Sequence, residues 1–559
     1  MLLQRMLMGA AMLFVLNTGA LLGAQSGQPD GGAKGSGEAG ASKPTASGQQ
    51  SVPVFRSTTT LVYLDVTVVD KKGNPVVTGL TRDDFSITED KQPQRIFSFE
   101  APDEHGLNDS DSNSEREGPA KAVAEGKAPT TILVLDLLNT QFGDFAFVRD
   151  EMRKFLWKQP EELPAPAEML VLGNTSLTVL LKPTRSRQEL LTAIDHLPRA
   201  APYKVDQPNF MDELIRQSYD SLQQIAIQYR GVPGRKNVIW IGAGPPNMNE
   251  HELSDRDQDV VEQYVRHTVN LMVESRITLF KINPGWIVGA SAIETKAQEA
   301  RVATSADNTD ALNPFAGGNQ KFSDIVTKTG GELFNQNDVS VMIQESVDLG
   351  SKYYTLTYQP QDGEADARFR RIEVKLRNPN LHVVTKAGYF GREKGELLDS
   401  DNHTVNILRD ASLATVSFTA LNLNVAGVVR HPDTHTAEIT LQMNDKNLHW
   451  QAEEGGKSST TVIVTAVSRS GHEDVLARRV AKFYLLAASQ DAEKLTGAKP
   501  EVKVTLPVPR DTKNVRLALA TEGGERIGSV DVERKTIDAA PVAPSPQPHL
   551  VQVKRGTAK

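Results

Sequence analysis

Hydrophobic residues follow two different periods in the middle of the chain, from Thr130 to about Tyr358. Short apolar runs rich in β-branched residues alternate there with stretches in which apolar residues recur every three or four positions. Runs of the first kind predict buried strands, and stretches of the second kind predict amphipathic helices. Their alternation predicts an α/β unit in which a doubly wound, mostly parallel sheet carries helices on both faces.

The first apolar run, Ile132–Leu135, ends on a carboxylate, Asp136, and a polar loop follows it. A helical stripe comes next, formed by Phe145, Val148, Met152 and Phe155. The turn residues Gly173–Ser176 separate two later runs and predict a hairpin at the sheet edge. The remaining predicted strands of the unit are Met169–Leu172, Leu177–Leu181, Val238–Ile241, Ile277–Ile282 and Leu333–Phe334.

The segments on either side of this unit have β character, with short runs broken by Gly and Pro. Residues 52–100 and 352–395 are each too short for a whole sandwich, so we interpret them as two parts of one Ig-like sandwich. The α/β unit of residues 130–351 would then be an insertion, and two separate small β units are the alternative. Residues 403–538, whose first predicted strand is Val416–Phe418, predict a second sandwich of immunoglobulin or fibronectin type.

Four segments are predicted to lie outside these folded units. Residues 1–24 combine Arg5 with an apolar run and small residues, which predicts a secretory signal peptide and a secreted, periplasmic or cell-envelope protein. An uncleaved N-terminal anchor is the alternative. The other segments are a Gly/Ser-rich linker at 25–51, an acidic flexible linker at 101–129 and a disordered Pro/Ala-rich tail at 539–559.

Composition excludes several classes of function. The 559 residues indicate about three or four domains, and the formal net charge of −8 argues against a nucleic-acid partner. The chain has no Cys, which excludes disulfides, thiolate nucleophiles, Cys-based zinc sites and a lipid-modified cysteine anchor. No long apolar stretch beyond the signal peptide predicts a membrane span.

The familiar enzyme motifs are missing from the sequence. It contains no Gly-x-Ser-x-Gly nucleophile elbow, and Gly231–Lys236 lacks the spacing of a phosphate-binding loop. His431 and His435 have the spacing of a zinc pair on a helix, but a Pro-Asp-Thr turn separates them and no Glu follows the first. We therefore predict a protein without enzymatic activity.

Two loops at strand ends carry the candidate chemistry: residues 136–140, after the first apolar run, and residues 242–244, after Val238–Ile241. In open α/β sheets, ligands bind beyond the carboxyl ends of parallel strands, and both loops follow such strands. Asp136 and Thr140 are also the candidate metal ligands, whereas the structural alternative is that Asp136 caps the loop and Thr140 begins the helix. The candidate partner-binding residues are Asp136, Asn139, Thr140, Gly242, Ala243 and Gly244.

Six short stretches between residues 54 and 392 form an ordered set: Leu61–Val68 with Asp84-Phe85, Leu133–Thr140, Gly234–Ile241, Thr329–Gly331, Tyr354–Pro360 and Gly388–Phe390. In this order they resemble the von Willebrand factor type A (vWA) domain with its flanking β regions. More closely, the chain resembles the VWFA-related domain proteins common in acidobacteria. The resemblance implies a vWA fold and a module that works mainly by protein contact.

The resemblance also implies a metal-ion-dependent adhesion site, in which Asp-x-Ser-x-Ser, a Thr and a later Asp hold Mg²⁺. Asp136 matches the first Asp and Thr140 replaces the second Ser, but Leu138 stands at the first Ser. The later Asp falls on Ala243, and the middle Thr has no clear counterpart near Gln207–Asn209. Because Mg²⁺ requires near-octahedral oxygen ligands, we expect a degenerate site with weak Mg²⁺ binding at most.

The sequence thus predicts an exported, non-enzymatic protein-interaction or adhesion module with a protein ligand of unknown identity. Trp286 either adds an aromatic anchor at the same end of the sheet or packs internally. One alternative is a functional Mg²⁺-dependent adhesin whose metal is completed by a carboxylate of the partner. Another is an envelope hydrolase whose catalytic site has no recognisable motif.

Overall fold

The computed structural model describes residues 61–105, 128–140, 142–174, 176–197, 210–246, 255–284, 320–334, 338–360, 366–391, 400–443, 448, 450–453, 455–471, 474–487, 499–521 and 526–543. Several predictions made above lie outside these residues. They concern the signal peptide, the first linker, most of the acidic linker, the Gln207–Asn209 loop and Trp286.

In the described part of the chain, four strands precede the α/β unit: β1 (Val62–Val69), β2 (Phe85–Glu89), β3 (Gln92–Gln94) and β4 (Ile96–Glu100). A short 3-10 turn, Pro102–His105, follows them, and the His105 ring stacks on Tyr353 with the ring centroids 4.2 Å apart. The prediction of a flexible linker from residue 101 is wrong for these first residues, because His105 is buried against an aromatic partner.

The described residues of the α/β unit form six strands and six helices. The strands are β5 (Thr130–Asp136), β6 (Glu162–Leu172), β7 (Leu177–Ser186), β8 (Lys236–Ile241), β9 (Ile277–Ile282) and β10 (Leu333–Phe334). The helices are α1 (Phe142–Trp157), α2 (Arg187–Asp195), α3 (Phe210–Gln228), α4 (Asp255–Glu274), α5 (Gln320–Lys328) and α6 (Val339–Ser351).

These strands form one sheet in the order β10-β9-β8-β5-β6-β7. All neighbours pair in parallel except β7, which runs antiparallel to β6 as an edge hairpin. Numbered from the first strand, the order is 3-2-1-4-5-6, which is that of a doubly wound sheet. The predicted mixed α/β class with a mostly parallel sheet is therefore confirmed.

Both faces of the sheet are buried, as continuous apolar strands require. In β5, Ile132 and Val134 face a core shared with α3, α4 and α5, whereas Leu133 and Leu135 face a core shared with α1, α2 and α6. The stripe predicted for α1 packs in the second core. Each helix thus buries one face, and its polar side chains remain on the outside.

Four further strands follow the unit: β11 (Tyr354–Tyr358), β12 (Phe369–Leu376), β13 (His382–Val384) and β14 (Gly388–Phe390). They combine with the first four into two four-stranded sheets, β13-β1-β11-β4 and β14-β12-β2-β3. The two sheets enclose a common core that includes Leu64, Val66, Ile87, Leu356 and Ile372. Segments before and after the α/β unit therefore pair with each other in space.

A polar junction cluster, defined as Asp65, Thr67, Arg235, Arg276 and Thr355, connects these sheets to the α/β unit. Arg276 donates from Nε to Asp65 Oδ2 at 3.1 Å, and its Nη2 binds the other carboxylate oxygen. Arg235 is buried and donates to Thr67 Oγ1 at 3.0 Å and to Thr278 Oγ1 at 3.1 Å. Arg235 thus finds acceptors on both sides of the boundary, and Arg276 reaches across it to acceptors in the β sheets.

The C-terminal region begins with a helix, α7 (Ser400–Leu413), which the sequence analysis missed. Its strands are β15 (Leu423–His431), β16 (Thr436–Met443), β17 (Gln451–Glu453), β18 (Lys457–Arg469), β19 (Val475–Ala487), β20 (Glu501–Pro507), β21 (Asn514–Thr521) and β22 (Ile527–Glu533), and α8 (Arg534–Asp538) follows. The predicted strand Val416–Phe418 is wrong: Val416 and Phe418 are buried in the core beside α7 but belong to no strand.

The C-terminal strands form two sheets that share a core. One sheet has the order β15-β16-β20, and the other has the order β17-β18-β21-β22 with β19 paired to β18. His431 and His435 flank a 3-10 turn between β15 and β16, so no helix brings them together. The tail is ordered further than predicted, since Ala543 N donates to Arg430 O at 2.9 Å.

Among the helices of the described ranges, none is both long and apolar enough to span a membrane.

Candidate functional site

The candidate residues meet where the winding of the doubly wound sheet reverses. Asp136 is the last residue of β5, and Gly242–Gly244 follow β8, the neighbouring strand. The helices after these two strands cover opposite faces of the sheet, which leaves a crevice between the two loops. The structure therefore brings the predicted loops together at the carboxyl ends of adjacent strands.

The Asp136 carboxylate is the centre of this site, and it is buried. Its Oδ1 accepts hydrogen bonds from Asn139 N at 2.9 Å and Asn139 Nδ2 at 3.0 Å. Its Oδ2 accepts from Asn139 Nδ2 at 3.0 Å, Trp240 Nε1 at 3.1 Å and Gly244 N at 2.9 Å. Four donor atoms thus make five hydrogen bonds to a group with about four lone-pair positions.

Asn139 extends this network to helix α3. Its Nδ2 also donates to Ser218 Oγ at 3.0 Å, and Ser218 in turn donates to Leu214 O within the helix. The Asn139 side chain is thus a donor to Asp136 and not a carbonyl ligand beside it. Its Oδ1 is buried and has no hydrogen-bond partner among the described residues.

Thr140 connects the two loops directly. Its Oγ1 accepts a hydrogen bond from Ala243 N at 3.2 Å, so the hydroxyl is engaged by the second loop. Gly242 lies tightly between the loops, with a positive φ of 150°. A Cβ atom at this position would lie 2.5 Å from both Asp136 Cβ and Thr140 Oγ1. Glycine is needed there because the loops approach too closely for a side chain.

Gly242→Ala is expected to lower the free energy of unfolding by about 1–3 kcal/mol, the usual cost of overpacking. The added methyl group would displace Asp136 or Thr140 and loosen the Gly244–Asp136 hydrogen bond. Urea unfolding and hydrogen exchange of the Gly244 amide measure the two effects. Gly173→Ala is the matched control, since the nearest atom to its Cβ is 3.8 Å away. Equal effects of the two substitutions would contradict this account.

Lys281 is a cation at the same site that the sequence analysis did not single out. It lies on β9 directly opposite Trp240, is 4% exposed, and its Nζ is 5.4 Å from the centroid of the Phe322 ring. A Cβ atom at Gly244 would lie 3.0 Å from Lys281 Nζ. The ammonium thus approaches the loop whose backbone binds Asp136.

Burial dominates the protonation of both charged groups. Burial raises the pKa of the Asp136 carboxyl, although hydrogen bonds from Asn139, Gly244 and Trp240 act in the opposite direction. Burial lowers the pKa of Lys281 to about 8, against the attraction of the Asp136 charge. A carboxylate and an ammonium in one buried site each offset part of the other's desolvation.

The described residues around Asp136 do not provide the ligand set of a Mg²⁺ site. Both Asp136 oxygens are occupied by N–H donors, and the Thr140 hydroxyl already accepts from a backbone amide. Mg²⁺ would need several oxygen ligands in octahedral positions. Within the described ranges, no three His, Asp or Glu side chains are grouped so that they could hold a metal.

Three participating residues were missed by the sequence analysis: Ser218, Trp240 and Lys281. Only Lys281 gave a clear signal, because a lysine within the apolar strand Ile277–Ile282 must find compensation for its buried charge. Ser218 lies inside a long amphipathic helix, and Trp240 looked like an ordinary core residue. Their roles depend on side-chain directions that spacing alone does not give.

Comparison with known proteins adds little information on the family or function of this chain. No family model matches the chain, and no curated protein matches it. Among the solved structures, the crystal structure of the SpRpn10 VWA domain matches with 15% sequence identity. The match covers 31% of this chain and 95% of that chain, with a TM-score of 0.17. A score this low carries no argument, so the description of the fold rests on the strand order given above.

Proposed function

We propose that this protein is an exported, non-enzymatic binding module of vWA type whose metal-ion-dependent adhesion site is degenerate. It acts by protein contact at the loops around Asp136 and Gly242–Gly244. The observation that carries the proposal is the saturation of the Asp136 carboxylate by five hydrogen bonds from four protein donors. A metal ligand must offer a free lone pair, and this carboxylate is fully used as a structural acceptor.

The buried lysine supports the same conclusion. Lys281 supplies a positive charge near the carboxylate, which is the electrostatic contribution that a bound cation would otherwise make. A divalent ion entering this site would have to displace backbone and indole donors and would be repelled by the ammonium. The site is therefore better suited to hold two loops in a fixed arrangement than to exchange a metal.

In this proposal the buried and half-buried residues have separate roles. Asp136 and Asn139 are buried and position the loops, whereas the half-buried Thr140 and Ala243 reach the surface where a partner would contact them. Ligands of open α/β sheets bind at this end of the strands. A rigid pair of loops at the switch point is a suitable contact surface because little conformational entropy is lost on binding.

Calorimetric titration of Mg²⁺ and Mn²⁺ into the EDTA-treated full chain tests the proposal. We expect no saturable binding in the natural protein, because the carboxylate has no free lone pair. Asp136→Ala and the exposed control Asp150→Ala are titrated in parallel and should give the same baseline heat. Saturable binding that only Asp136→Ala abolishes would establish a working metal site and overturn the degenerate assignment.

A second measurement addresses the absence of catalysis. The purified chain is incubated with panels of peptides and glycans typical of a cell envelope, and products are followed by mass spectrometry. We expect no turnover above that of heat-denatured protein. Turnover that survives in Asp136→Ala would place an unrecognised active site elsewhere, and turnover that this variant loses would make the switch-point site catalytic.

A further inference from the structure

Among the described residues of the C-terminal region, the longest edge strand has a strand partner on one side only. Strand β19 has 13 residues and pairs along its length with β18, from Val475 opposite Arg469 to Ala487 opposite Ser458. Within the described residues, β18 is its only strand partner. An edge of this length presents a row of backbone N–H and C=O groups that can bind another extended chain.

The side chains of β19 are unusually apolar for an exposed edge. Tyr484 is 62% exposed, Leu486 is 54% exposed and Val480 is 41% exposed. These three have the same parity in the strand, so they lie on one face. The opposite face contributes Phe483 and Leu485 to the core of the C-terminal sheets. The strand is thus anchored on one face and offers apolar contacts on the other.

The charge of β19 is entirely positive. Its sequence VLARRVAKFYLLA contains Arg478, Arg479 and Lys482 and no acidic residue, although the whole chain has a net charge of −8. Basic residues discourage pairing between identical edges, because like charges on neighbouring strands repel. In full-length antiparallel pairing of two copies, Arg478 of one copy would be diagonal to Lys482 of the other.

We propose that β19 is a docking edge for an extended, acidic segment of a partner protein, which adds to the sheet as a further strand. Main-chain hydrogen bonds along the free edge would supply most of the affinity. Alternating apolar side chains of the partner would cover Val480, Tyr484 and Leu486, and carboxylates on its other face would meet Arg479, which has the opposite parity in the strand. The edge belongs to a different sheet from the Asp136 site, so the inference does not depend on the proposed function.

The test uses two synthetic peptides of eight residues, one alternating Val with Glu and the other alternating Val with Lys. Hydrogen exchange of the full chain is measured with each peptide at millimolar concentration. We expect the Val–Glu peptide to protect amides of β19 and to bind about tenfold more weakly at 0.5 M salt, because screening weakens the charge contacts. The Val–Lys peptide should give no protection.

The charge-reversal variant Arg479→Glu is the matched control, since this side chain is exposed and lies on the face that the partner's carboxylates would meet. It should reverse the preference, so that the Val–Lys peptide now protects β19. Its thermal unfolding should match that of the natural protein. The proposal is overturned if the Val–Glu peptide leaves β19 unprotected in the natural protein, or if both peptides protect it equally. Concentration-dependent dimers with protected β19 would identify a second copy as the occupant and would also overturn it.

Discussion

Asp65→Ala is expected to lower the free energy of unfolding by about 3–5 kcal/mol, because it leaves buried cations without their counter-ion. Arg276 binds both Asp65 oxygens, and Thr355 Oγ1 donates to Oδ1 at 2.9 Å. Arg235 and Lys386 also lose the favourable field of this carboxylate. Urea unfolding at pH 7, followed by hydrogen exchange in β1 and β11, measures the effect where it arises.

The same carboxylate makes this stability depend on pH. Burial acts to raise the pKa of Asp65, but the charge and hydrogen bonds of Arg276, together with Arg235 and Thr355, lower the pKa below its ordinary value. A lowered carboxyl pKa stabilises the folded state above the unfolded-state value of about 3.9. We expect that contribution to disappear as the pH falls through the folded-state pKa, and to be absent from Asp65→Ala at every pH.

Two further variants separate the ion pair from general effects of substitution. Asp83→Ala removes an exposed carboxylate from the same region and should change stability by less than about 0.5 kcal/mol. Asp65→Ala combined with Arg276→Met removes both charges and should cost less than the two single changes added together. If Asp65→Ala behaves like Asp83→Ala, the junction cluster contributes nothing to the attachment of the α/β unit.

Glu168→Gln is expected to raise the free energy of unfolding at pH 8 by about 3 kcal/mol, with little change at pH 4. Glu168 is buried in β6 and accepts hydrogen bonds from the Tyr229 hydroxyl and from Gln228 Nε2 at 3.2 Å. Burial raises the pKa of this carboxyl from 4.5 to about 7, although both hydrogen bonds oppose the shift. Glutamine keeps an acceptor for Tyr229 and carries no charge.

The raised pKa of Glu168 makes the natural protein less stable as the pH rises. A raised carboxyl pKa means that the folded state binds the proton more tightly than the unfolded state does, so stability falls as the pH rises from about 4.5 to 7. Thermal unfolding of both proteins between pH 4 and 8 measures the diverging stabilities. Glu162→Gln, an exposed change in the same strand, should follow the natural protein throughout. If the stabilities of Glu168→Gln and the natural protein change in parallel with pH, the raised pKa of Glu168 is contradicted.

The sequence predicted the α/β unit well because its strands are buried on both faces. Runs such as Val238–Ile241 and Ile277–Ile282 have no polar face, and the helices between them repeat apolar residues at helical spacing. The ends of β5, β8, β9 and β10 were therefore placed closely, whereas β6 begins at Glu162 and not at Met169, and β7 ends at Ser186 and not at Leu181. Asp136 and Gly242–Gly244 were expected at one edge of the sheet. Their hydrogen-bonded contact follows directly from the parallel register of β5 and β8.

The features that were missed depend on contacts between distant segments. Helix α7 has a weak apolar stripe and was read as part of a β region, whereas packing against β18 and β21 stabilises it as a helix. The saturation of Asp136 needs the direction of the Trp240 indole and the backbone of Gly244. Neither is encoded by the spacing of Asp136 and Thr140, which fits a metal ligand and a loop cap equally well.

The pairing of β1 with β11 has a consequence for synthesis of the protein on the ribosome. Asp65 and Thr355 form a hydrogen bond across this pair although they are 290 positions apart. At the usual rates of translation, roughly 15–60 s separate the emergence of the two residues. During that interval the nascent chain carries β1 with both edges open, since β13 is made later still. We expect newly made chains to need a chaperone for that period, whereas the α/β unit can form as soon as its last strand emerges.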